Sequence, residues 1–175
     1  MTSGHDLPQE QELQGMAEAA LEGAGADQCE VVVAVRHTDL TRFAQSAIHQ
    51  SISKVEPLVN VRAVLGKRVG CACGNLLSPG EVQQVARKAR EMAQVQAENP
   101  QFVSLPSPEP LPEVKGIADD TLRCTPEQRA QAAKLMVEVA AEKGLSAAGA
   151  IATESAVVYV ANSLGVRAYD RRSAA

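Results

Sequence analysis

The chain has 175 residues, 45% of them hydrophobic but only 2% aromatic and none tryptophan. A core must therefore come from Val, Ala, Leu and Ile, which bury less surface each than aromatic rings do. With 17 basic against 21 acidic residues and a net charge of −4, the chain has no cationic footprint for phosphate, and its few rings offer little for bases to stack on. Composition thus speaks against nucleic acid as a partner. It also speaks against a membrane, because no stretch approaches the roughly 18 apolar residues that span a bilayer.

The first fifteen residues are polar and acidic, without an apolar core of signal-peptide length. The four cysteines (Cys29, Cys71, Cys73 and Cys124) read as reduced thiols packed as small apolar groups, so a cytoplasmic protein is expected. Leu13, Met16, Ala17, Ala20, Leu21 and Ala24 recur at helical spacing and predict an amphipathic helix over 8–23, ended by Gly23 and Gly25. Cys29–Arg36 is rich in β-branched residues and reads as a strand, with a turn at His37-Thr38-Asp39. Strand pattern resumes over Thr41–Ser53, breaks near Glu56-Pro57, continues through Leu58–Leu65, and turns at Gly66-Lys67 into Arg68–Cys73. Short connections join antiparallel neighbours, so the expectation is a meander of about four antiparallel strands.

Ser78-Pro79-Gly80-Glu81 opens a helix: serine caps, proline suits the first position, and Glu81 closes a capping box. Val82, Val85, Ala86, Ala89, Met92 and Ala93 form its inner face, while Arg87, Lys88, Arg90 and Glu91 read as a solvated outer face. Residues 99–120 hold five of the nine prolines with no clean period and predict an extended linker over a surface. Thr125-Pro126-Glu127-Gln128 repeats the cap chemistry, and Ala132, Leu135, Met136, Val139 and Ala140 mark an apolar helix face up to Gly144. Three strand-like runs follow: Ala148–Thr153, Ala156–Ala161 and Gly165–Arg171. The expected class is α+β, an antiparallel β-meander packed with amphipathic helices in the order α-β-β-β-β-α-linker-α-β-β-β. Three segments are expected: 1–98 as an α+β subdomain, 99–120 as linker, and 121–175 as a helix with a β-hairpin. The last segment reads as the start of a longer protein's second part. Its final strand, with nothing after it, is expected to leave an open edge that favours pairing with another chain.

A hydrolytic metal site needs two or three convergent His or carboxylate ligands. The three histidines, His5, His37 and His49, are each read as structural, and none is followed by glutamate as H-E-x-x-H requires. Cys71-Ala72-Cys73 places two thiols on one strand face, but no second pair stands at a metal-finger spacing; small thiols facing a helix explain them equally well. Gly66 and Gly70 flank Lys67-Arg68 without making a phosphate loop, and Gly144, Gly149 and Gly165 suit caps and turns. No G-x-S-x-G elbow occurs. No catalytic residue and no metal ligand is predicted.

Three stretches together, TRFAQSAIHQ (Thr41–Gln50), VRAVLGKRVGCACGNLLS (Val61–Ser78) and VANSLGVRAYDRR (Val160–Arg172), resemble the N-terminal half of the TldD/PmbA family. These proteins are linked to metal-dependent proteolysis and carry an older label as modulators of DNA gyrase. The resemblance implies a scaffold or substrate-chamber domain that acts on unfolded peptides only with a C-terminal half, where a catalytic subunit would hold zinc. It also implies a homo- or heterodimer with a related subunit, and the composition leans toward the metal-free PmbA type. No family metal ligand or catalytic residue maps onto these positions. The alternative from a different class is a stand-alone binding or oligomerisation module on the same fold.

Overall fold

A computed structural model describes residues 7–175; His5 lies outside the described residues. Helix α1 (Glu10–Ala24) buries Leu13, Ala17, Ala20 and Ala24 and stops at Gly25, whose φ of 55° suits a residue without Cβ. Three strands follow, β1 (Gln28–Ala44), β2 (Ala47–Leu65) and β3 (Arg68–Gly74). Helix α2 (Pro79–Val95), the short helix α3 (Asp119–Leu122) and helix α4 (Pro126–Glu142) come next. Strands β4 (Gly149–Asn162) and β5 (Arg167–Ala174) complete one antiparallel sheet in the order β3-β2-β1-β4-β5. The class is α+β, as the patterning implies.

The strands are fewer and longer than predicted. The expected turn at His37-Thr38-Asp39 lies inside β1, because β1 is the central strand and this stretch pairs on both sides, His37 with Val55 and with Ser155. Two complete ladders outweigh the turn preference of one Asp. The break expected at Glu56-Pro57 also lies within a strand. Pairing of β2 with β3 begins only at Val59, so Pro57 occupies an edge, where a missing N–H is tolerated. The runs 148–153 and 156–161 likewise merge into β4. The reversal between β1 and β2 falls at Gln45-Ser46, both with positive φ (50° and 57°), as a two-residue hairpin demands. Ser46 is held there by bonds between its N–H and Ala147 O (3.1 Å) and between Ala147 N and its own Oγ (3.3 Å). The Gly66-Lys67 turn falls where expected, with Gly66 at φ 59°.

Alternation along the strands gives the sheet two unlike faces. Odd-numbered residues of β1, β2 and β4 (Val31, Val33, Val35, Val59, Val61, Ala63, Val157, Tyr159, Ala161) meet α1 and α2 in the core. Helix α2 contributes Val82, Val85, Ala86, Ala89 and Ala93, whereas Met92, expected on that face, is exposed. Ser78 caps α2 by accepting from Glu81 N (3.4 Å), but Glu81 takes the serine hydroxyl (2.9 Å) rather than closing a capping box. Thr125 and Gln128 do form the reciprocal box on α4.

Helix α4 departs furthest from expectation. Of its side chains only Arg129 and Ala133 are buried, while Leu135, Met136 and Val139 of the predicted inner face are 63%, 54% and 50% exposed. The helix lies over the far end of the sheet, where the buried odd-numbered residues are mostly polar, His37, Asp39, Thr41, Thr153 and Ser155, with Phe43 the apolar exception.

The irregular segment between α2 and α3 is tied to the sheet at several points. Asn99 N bonds Lys67 O (2.9 Å), Leu105 N bonds Gln28 Oε1 (2.8 Å), and Asn162 Nδ2 bonds Pro106 O (2.7 Å). Farther on, Ser173 N donates to Gly116 O (2.8 Å) and Ala118 N to Ser173 Oγ (2.9 Å). The outer edge of β5, expected to be open, is thus partly met by a segment that precedes it in the chain. Both 1–98 and 121–175 feed the same sheet, since β4 lies beside β1.

Candidate functional site

The even-numbered residues of β1, β2, β4 and β5, with the odd-numbered residues of β3, form the face that no helix covers. Reading across it in register, one row is Glu56, Arg36, Ala156 and Arg172, and the next is Leu58, Ala34, Val158 and Asp170. The middle columns carry small side chains, Ala34 and Ala156, flanked by larger ones. That size pattern hollows the twisted sheet into a groove of about 590 Å³ lined by Ala34, Arg36, Glu56, Leu58, Ala156, Val158 and Arg172, together with the strand backbones. Its floor is apolar, and Arg36, Glu56 and Arg172 charge one end. The other end of this face is closed by the linker, where Leu105 is 3% exposed and Asn162 is held by its neighbours. Its lining residues place no nucleophile next to a base.

A second polar constellation lies under α4. His37 Nε2 is 2.8 Å from Ser53 Oγ and 3.6 Å from Asp39 Oδ1, and Asp39 Oδ2 is 3.7 Å from Arg129 Nη1. Arg129 Nη1 also donates to Cys124 O (2.9 Å) and Thr153 Oγ1 (3.4 Å). Serine, histidine and aspartate in sequence suggest a triad, but the geometry differs from one. Ser53 and Asp39 approach the same imidazole nitrogen, so the carboxylate does not orient the ring from Nδ1 as a triad requires. The cluster joins α4 to the sheet.

The residues singled out in the sequence are dispersed. His49 is exposed on β2, and among the described residues no three His, Cys, Asp or Glu converge as metal ligands. Cys71 and Cys73 share a strand face but are exposed, and it is Ala72, between them, that packs toward the core. The expectation that the thiols face a helix is corrected by register: Cys71 lies opposite Arg62 and Cys73 opposite Asn60, both on the uncovered face. Cys29 is buried, and burial, with a smaller contribution from the Glu30 carboxylate, pushes its thiol up to about 11. Cys124 is half-buried and free. Gly70 lies under α2, where a Cβ would meet the backbone of Ala89 and Ala93. Gly149 begins β4 against the Phe43 ring rather than making a turn. Arg87, Lys88 and Glu91 are solvated as expected, whereas Arg90, expected with them, is half-buried with its Nε out of solvent. Sequence reasoning missed the groove, because a hollow made by alanines appears only once three strands are in register. It also missed Arg129, whose burial has no local signal.

Comparison with solved structures places this architecture. TldE from Thermococcus kodakarensis superimposes with a TM-score of 0.82 at 19% identity, over 93% of this chain and 37% of that one. The chain has the fold of part of TldE. Two proteins named as proposed modulators of DNA gyrase share that TldE-like fold over 94% of this chain and 38% of their own. The one from Bacteroides thetaiotaomicron has a TM-score of 0.77 at 15% identity. The one from Thermotoga maritima has 0.71 at 14%. The chain therefore spans well under half the length of the structures it matches. No protein-family profile and no curated protein matches the sequence. The TldD/PmbA resemblance of the three sequence stretches is borne out at the level of fold. No helix of the described residues is long and apolar enough to cross a membrane.

Proposed function

We propose that the chain is a non-catalytic scaffold portion of a TldD/PmbA-type cytoplasmic assembly, and that its open sheet face holds unfolded peptide for metal-dependent proteolysis carried out elsewhere in that assembly. The observation that carries the reading is the groove over Ala34, Ala156, Val158 and Leu58, an apolar trough on a face free of helices with arginines at one end. Unfolded chains offer apolar side chains and carboxylates, which such a trough can take without sequence preference. The described residues do not fit a zinc ion, since no three ligand-type side chains converge. In this reading zinc belongs to a catalytic segment outside these residues, and the working unit is a homo- or heterodimer with a related subunit.

Fluorescence anisotropy with a labelled casein-derived peptide tests the reading. The chain binds it, and Val158→Glu, which puts a charge on the groove floor at a half-buried position, weakens binding at least tenfold with an unchanged circular-dichroism spectrum. No binding by the wild-type chain, or equal binding by the variant, rejects the groove as the peptide site.

A stand-alone binding or oligomerisation module is the second reading, favoured by the exposed Leu135, Met136 and Val139 of α4. Sedimentation equilibrium over a hundredfold dilution separates the two, because self-association removed by Leu135→Glu and Val139→Glu supports the module.

A further inference from the structure

Helix α4 is attached to the sheet in a different way from α1 and α2. Those two bury apolar faces against the valines of the core. Helix α4, of the same length as α2, buries only Arg129 and Ala133, and turns Leu135, Met136 and Val139 outward. Its floor is mostly polar, with His37, Asp39, Thr41, Thr153 and Ser155 buried there beside the single ring of Phe43, so it offers α4 far less apolar surface than the valine core offers α1 and α2. Within the contact, Thr41 Oγ1 and Arg129 Nε are buried without a protein hydrogen-bond partner. Docking therefore strands polar groups that opening would return to water. The polar link is concentrated at one side chain, Arg129, through its bonds to Cys124 O and Thr153 Oγ1 and its approach to Asp39 Oδ2. Both flanks are anchored to the sheet, at Ala118 through Ser173 and at Ala147 through Ser46, so a movement is confined to the segment between them, in which Gly144 (φ 68°) begins the connection to β4.

We infer that α4 is a detachable flap, latched to the sheet by the buried Arg129–Asp39 pair, which swings off the polar floor while the α1–α2 core stays folded. The inference is independent of the peptide reading, since the flap and the groove occupy opposite faces. The flap opens locally, exposing the His37–Asp39 floor and the side of the hairpin at Ile48 that borders α4, while Ser46 stays tied to Ala147.

Hydrogen exchange followed by mass spectrometry on the full chain is the test. In the wild-type chain, amides of 130–142 exchange about tenfold or more faster than those of 83–95, as expected for local rather than global opening. Arg129→Met and Asp39→Asn each speed exchange of 130–142 a further tenfold or so and leave 83–95 unchanged, because each removes one half of the latch. Equal protection of 130–142 and 83–95 in the wild-type chain overturns the inference, and that comparison does not depend on either variant folding. Acceleration of both segments together in the variants overturns it too, because the pair would then support the whole fold rather than a latch.

Discussion

Gly70→Ala adds one methyl group where β3 and α2 come closest. A Cβ built on Gly70 lies 2.2 Å from Ala93 N, 2.3 Å from Ala89 O and 2.8 Å from Ala93 Cα. All three atoms belong to helix backbone, so no rotamer change can make room. Non-bonded carbon contacts settle near 3.5–4.0 Å, so α2 must lift by about 1 Å. That movement loosens the packing of Val82, Val85, Ala86, Ala89 and Ala93 together. Overpacking costs about 1–3 kcal/mol where side chains can yield, and a backbone clash belongs at the top of that range, about 3 kcal/mol. For a chain of this size each kcal/mol lowers Tm by about 2–4 °C, so a fall of about 6–12 °C is expected. Guanidinium unfolding followed by circular dichroism should show a lower midpoint with the slope unchanged. Gly15→Ala is the control: Gly15 sits in α1 with nothing within 4 Å, and alanine there stabilises by about 0.5–1 kcal/mol. A loss below about 1 kcal/mol at Gly70 would refute the close approach of α2 to β3.

Gln45→Gly relieves a non-glycine residue at φ 50° in the β1–β2 turn and is expected to stabilise by about 1 kcal/mol, read as a raised unfolding midpoint. The Cys29 thiol, at about 11 in the folded chain against 9.0 unperturbed, ionises first in the unfolded state. Stability present below pH 9 is therefore lost as pH rises from about 9 through about 11, and Cys29→Ala flattens that slope in pH-dependent melting. At pH 8, a thiol-reactive dye labels the exposed Cys71 and Cys73 well before Cys29. The purified chain cleaves no casein and retains less than stoichiometric zinc by elemental mass spectrometry; chelator-sensitive cleavage with one zinc per chain would contradict this.

What could be read from residues alone was whatever local chemistry decides. The Thr125-Gln128 box, the serine cap of α2, the glycine ending α1 and the Gly66-Lys67 turn each depend on a few adjacent residues, and each is where the pattern puts it. Failures occurred where partners distant in sequence outvoted local preference. His37-Thr38-Asp39 has turn character, yet two neighbouring strands claim its backbone and carry β1 straight through. Leu135, Met136 and Val139 have correct helical spacing for a buried stripe, but spacing cannot reveal that the sheet below α4 presents His37, Asp39 and Thr153. The groove was illegible for a related reason. Ala34 and Ala156 are unremarkable singly and become a trough only when β1 and β4 place them beside each other's larger neighbours.

Methyl-resolved NMR of the chain, titrated with an unfolded peptide, tests the central claim most directly. Saturable shifts are expected at Leu58, Val158, Ala34 and Ala156 on the open face, with Val31, Val33 and Val61 on the helix-covered face unmoved. Shifts confined to Leu135 and Val139, or none at the groove at saturating peptide, would contradict it.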